Sequence, residues 1–175
     1  FIKNKNVSVL YSNIYVYNEK KKSKNIYIKK KIKNKNLTQK LVDKFEMPIL
    51  STIIKKNIFN QVKFNNKYSI IGDFDFFVRL SLIKHISFIS EPLAYYRIHS
   101  SNLTKKRIDL NITELQDWIS EKIKTKNFQF INFSKLYETI EVLKIQKNFI
   151  QGNKLKVLLG ILRRSLKLFK LKFLN

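Results

Sequence analysis

The sequence contains no cysteine. That excludes disulfides and thiolate metal sites and fits a reducing compartment. It has no apolar run long enough for a membrane-spanning helix, because Lys, Arg or Asn interrupts every candidate. The opening FIKNKNVSVL lacks the continuous apolar core of a secretory signal. Glycine and proline are scarce, at 3 and 2 residues, and acids number 12 against 36 Lys plus Arg. The resulting net charge of +24 suits a surface that gathers phosphates by releasing counterions. A surplus of Lys, Asn, Ile and Phe is also what a strongly A/T-biased coding sequence produces. That compositional cause takes the larger share, so charge alone identifies no partner.

What is present is organised. At 175 residues the chain is long enough for one ordinary domain, or for part of a larger one, and its start at Phe1 raises the expectation of a portion before it. VSVLYSNIYVY reads as one or two strands ending near Asn18. The Lys/Asn-rich stretch that follows reads as a solvated loop or an exposed hairpin around NIYI. Thr38 is placed to cap a short helix, TQKLVDKF, carrying Leu41 and Phe45 on one face. After Pro48, ILSTII reads as a buried strand, and KKNIFNQVKFNNKYS as a short helix and loop. Asp73 to Lys84 has helical spacing, with Phe76, Leu80 and Ile83 on one stripe and Phe77 beside it. HISFIS and LAYYRIH then read as two strands parted by Glu91-Pro92. Strands and helices interleave up to about residue 99, an α/β pattern.

Beyond Arg107 the pattern turns helical. Thr113 and Gln116 suit a capping box for a helix with Leu115, Ile119 and Ile123, and Leu136, Ile140 and Leu143 mark a second over 134–149. KLKVLLGILRRSLKLFKLKF, apolar, basic and free of acids, either packs on the domain or lies on an anionic membrane surface.

Two scarce acids head the helix GDFDFFVRLS. A carboxylate at a helix start accepts backbone N–H bonds and meets the positive end of the dipole, which accounts for Asp73 taken alone. Asp75 asks for more, since one cap suffices. Two ionised carboxylates close together raise each other's proton affinity, which suits a general base. Downstream, His99 follows an apolar strand with Arg97 two positions before it, a pair suited to an anion or a metal–phosphate complex. His85 has no role that the sequence suggests.

In order along residues 7–104, VSVLYSN, PILSTIIKKNIF, GDFDFFVRLS and EPLAYYRIHSSNLT together resemble the second half of a bacterial family 2 glycosyltransferase of the GT-A fold. The resemblance implies a partial GT-A, Rossmann-like sheet with helices over residues 1–106 and a helical tail over 107–175. It implies inverting transfer of a sugar from a nucleotide-diphosphate donor to a glycan or lipid-linked acceptor, in surface polysaccharide or lipopolysaccharide synthesis. Asp73 matches the position of the catalytic base, with Gly72 where the commoner form has Glu. Asp75 and Arg79 would organise the helix start beside the substrate. His99 matches the residue that approaches the divalent cation (Mg2+ or Mn2+) or the diphosphate, with Arg97 in support, and Ser51 and Thr52 match the strand bordering the acceptor cleft. DFD has the letters of an Asp-x-Asp metal motif but holds the base's place. The nucleotide-binding half and main metal ligands are expected before Phe1, so this stretch alone is expected to be inactive and to expose an unpaired sheet edge.

A different class of function remains open beside it: a basic interaction module binding an anionic membrane or nucleic acid without catalysis. Membrane association is compatible with the transferase, placing it in the cytoplasm at the inner face of the cell membrane. Nucleic acid has no such link and ranks last.

Overall fold

The computed structural model describes residues 7–29, 36–100 and 102–173. Strand β1 (Val9–Asn18) is the axis of a four-stranded sheet. Its β-branched and aromatic residues suit a pleated surface, and its first half is buried on both faces. Strand β2 (Ser23–Ile26) folds back antiparallel on the second half of β1, so the Lys-rich segment begins as an exposed hairpin; residues 30–35 lie outside the described residues. Strand β3 (Thr52–Ile54) is antiparallel to the first half. Strand β4 (Ile86–Ile98) runs parallel along the whole of β1, from Val9 opposite Ile86 to Asn18 opposite Ile98. The chain is thus a mixed α/β structure with a small open sheet.

A strand has two edges, and β4 occupies one, so β2 and β3 share the other with a gap between them. Side chains close that gap. Buried Asn13 donates through Nδ2 to the Ile28 carbonyl at 2.8 Å and accepts at Oδ1 from the N–H groups of Ile28 and Ile14, both at 2.9 Å. Ser51 Oγ donates to the Ser12 carbonyl at 2.8 Å.

Several elements differ from their sequence expectation for identifiable reasons. HISFIS and LAYYRIH form one strand, not two, because a bulge absorbs the proline: Ser90, Glu91 and Leu93 have no opposite number on β1. ILSTII is a single 3-10 turn followed by the short β3, and Ile53 is exposed rather than buried. Helix α1 (Leu37–Asp43) starts after Asn36, which adopts φ 58°, so Thr38 is inside the helix and not its cap, and Phe45 lies beyond its end. Helix α2 (Gly72–Ser81) ends before Ile83, which is exposed. A short helix α3 (Leu103–Lys106) precedes α4 (Ile108–Lys122). Thr113 is interior to α4, its hydroxyl donating back to the Asp109 carbonyl at 3.1 Å, and Ile123 is exposed. Helix α5 (Ser134–Ile150) falls where the apolar spacing puts it and ends on Gly152, whose φ of 72° an L side chain would resist. Helix α6 is Lys154–Phe173. Among the described residues no helix is long and apolar enough to cross a membrane.

The core gathers around α2, whose Phe74, Phe76, Phe77, Val78 and Leu80 are all buried. Phe76 stacks on Phe64 with ring centroids 4.2 Å apart, and Phe74 meets Trp118 edge-on at 4.7 Å. Packing does not divide at residue 107: Leu115 and Trp118 of α4 and Leu136 and Ile140 of α5 belong to the same core as Val9 and Tyr11.

Candidate functional site

The start of α2 is held by α4. Glu114 is buried, and its carboxylate accepts from three consecutive backbone N–H groups: Ser69 at 2.8 Å, Ile70 at 2.9 Å and Ile71 at 3.0 Å. Those donors lie just before a helix with no side-chain cap of its own. One and two turns along the same face of α4, Trp118 and Glu121 continue the attachment. Trp118 Nε1 donates to Asp75 Oδ1 at 2.9 Å, and Glu121 pairs with Lys67 and accepts from the Tyr68 hydroxyl at 2.9 Å. The sequence reading missed this scaffold. Its signal is the spacing of Glu114, Trp118, Glu121 and Lys122, which puts polar ends on a face that periodicity assigns to the core.

Asp75 is fully buried inside that scaffold. Arg79 donates to its Oδ2 through Nε at 2.9 Å and Nη2 at 2.6 Å, and Lys122 Nζ lies 3.6 Å from Oδ1. Arg79 also reaches the Lys63 carbonyl at 2.7 Å, which ties the preceding loop to the helix. The Asp75 carboxylate therefore joins α2 to α4 and faces protein, not solvent.

Asp73 turns the other way. It lines a cleft of about 520 Å³ bounded by the Pro48–Leu50 turn, Tyr27, Tyr96, Phe74 and the inner side of α5. Its Oδ1 accepts from the Phe74 N–H at 2.8 Å, and its own N–H is a second backbone donor. Burial raises the Asp73 carboxyl above the ordinary carboxylate range, and these two backbone bonds oppose the rise without cancelling it. Asp75 is not among the causes, so the mutual repulsion expected of the two acids is replaced by desolvation of one of them. Tyr27, across the cleft, is pushed up by burial first and then by the negative fields of Glu46 and Asp73; its hydroxyl donates to the Phe45 carbonyl at 3.1 Å.

The other candidate residues stand apart. Ser51 and Thr52 spend their hydroxyls on backbone carbonyls, Thr52 Oγ1 donating to Pro48 at 2.9 Å, and so secure the turn whose Pro48, Ile49 and Leu50 line the cleft. Arg97 Nη1 pairs with Glu19 Oε1 at 3.1 Å on the exposed end of the sheet. The His99 backbone N–H donates to Asn102 Oδ1 at 2.7 Å, and the residue borders a second hollow of about 620 Å³ with Asn18, Lys20 and Lys21. Asp73 and His99 thus line different hollows. Among the described residues no group of three or more His, Asp or Glu side chains converges to hold a metal ion.

Neither a family model, nor a curated protein, nor a solved structure matches the chain.

Proposed function

We propose that this chain is the acceptor side of an inverting glycosyltransferase in which Asp73 is the general base. In this reading the acceptor oxygen attacks the anomeric carbon of a nucleotide-diphosphate sugar. Asp73 takes the hydroxyl proton as the new glycosidic bond forms, and the bond to the diphosphate breaks with its electron pair leaving on oxygen. The observation that supports the reading is the setting of Asp73: a carboxylate at a helix start, in a cleft, with raised proton affinity and backbone donors that fix its orientation. A raised carboxyl is a better base near neutral pH than an ordinary one. The resemblance carried by the motifs along residues 7–104 supports this reaction class, with surface polysaccharide or lipopolysaccharide synthesis on the cytoplasmic side as its setting. Mg2+ or Mn2+ would supply charge to the leaving diphosphate, held chiefly by residues other than those described.

Transfer is to be measured on the protein translated from the whole reading frame, supplied with nucleotide-diphosphate sugars, with the anomeric configuration of the product followed. Asp73→Asn is expected to cut turnover about a hundred- to ten-thousand-fold while circular dichroism stays unchanged. Turnover near that of the unmodified protein, or a product of retained configuration, would overturn the assignment.

A further inference from the structure

Helix α6 presents its apolar face away from the protein. At Gly160 the helix lies close against α5: a Cβ there would lie 2.7 Å from Ile145 Cγ1. Leu158 and Leu162 stand two residues to either side of Gly160, which on a helix is the opposite face. Leu155 and Leu158 are 70% and 55% exposed, and Leu159 and Leu162 are exposed beside them. Phe149 and Ile150, just before the turn into α6, are exposed as well. An amphipathic helix packed for stability would turn this stripe inward. Here the stripe is left to solvent and continues in the sequence at Leu166, Phe169 and Phe173 with the same spacing.

The charges beside the stripe indicate what covers it. Lys154 and Arg163 lie about a quarter turn to either side of its centre, and no Asp or Glu occurs from residue 151 to the end of the sequence. A second copy would bring these cations together with no acid in the helix to pair them. A nucleic acid would leave the leucines without a partner. An anionic bilayer meets both demands, since the leucines enter the acyl boundary while the Lys and Arg ends reach the headgroups.

We propose that α6, extended by the end of α5, is a docking face for an anionic membrane surface. This does not depend on the sugar-transfer reading, but it fits the site's position. Ile145 lies on the opposite side of α5 from Leu136 and Leu143, which line the Asp73 cleft, so α5 separates the cleft from the docking helix.

The test is co-sedimentation of the whole 175-residue chain with vesicles of phosphatidylcholine alone or of phosphatidylcholine mixed equally with phosphatidylglycerol. Binding is expected only to the mixed vesicles. Because a chain of net charge +24 would adhere to any anionic surface, the deciding variant keeps the charge: Leu158→Ser with Leu159→Ser and Leu162→Ser. It is expected to weaken binding at least about a hundredfold with circular dichroism unchanged. Arg163→Gln with Lys154→Gln is expected to weaken it roughly ten- to thirty-fold. Equal binding by the serine variant would reduce the effect to bulk charge and overturn the proposal. So would binding to phosphatidylcholine alone, or self-association abolished by the same serines without vesicle binding.

Discussion

Asp73 and Asp75 are two residues apart on the first turn of α2, yet one opens onto a cleft and the other is sealed in the core. Two residues turn a side chain by about 200° around a helix, so adjacent acids in one motif meet opposite surroundings. Asp75 is engaged by three side chains, one from its own helix and two from α4. The partners of Asp73 are backbone N–H groups, and burial raises its hold on a proton. A motif of two acids thus divides into a structural member and a member that lines the cleft with raised proton affinity. What distinguishes them is the packing of α4, more than a hundred ångströms of extended chain further along.

That division is open to attack from both sides. The largest effect is expected from Asp75→Ala, which strands Arg79, Lys122 and the Trp118 N–H beside a buried void; a loss of about 3 kcal/mol or more should appear in urea unfolding. Glu114→Gln should cost about 2 kcal/mol by the same measurement, because one amide oxygen cannot replace a carboxylate that receives three N–H groups. The smallest effect is expected from Asp73→Asn, and with opposite sign. Since the folded protein raises the Asp73 carboxyl, Asp73 adds stability relative to Asn only below the ordinary carboxylate range and forfeits it as pH rises through the raised value. Asn should therefore be slightly more stable at neutral pH and no better in acid. A loss at neutral pH comparable to that of Asp75→Ala would erase the distinction between the two residues.

The legible parts of the fold were those with strong local pattern. Strand β1 and helix α5 fall where alternation and helical spacing put them. The single strand β4 was hidden because Pro92 reads as a stop, whereas a bulge passes it without ending the pairing. Thr38 and Thr113 are good caps by residue type but lie inside helices that begin earlier. At the site, the sequence marked Asp73 and, as a strand rather than a turn leading into one, Ser51 and Thr52, but not Glu114, whose role depends on three backbone groups brought together by tertiary packing. It also grouped His99 with Asp73 through motif order, whereas the two border separate hollows among the described residues.

The most direct measurement is a carbon-13 NMR titration of the aspartate side-chain carboxyls in the 175-residue chain, with the Asp73 resonance assigned by its loss in Asp73→Asn. A midpoint clearly above the ordinary carboxylate value is expected, because burial outweighs the two backbone bonds. A midpoint at or below that value would mean that the cleft leaves Asp73 as weak a base as any surface acid, contradicting the proposal that it accepts the proton.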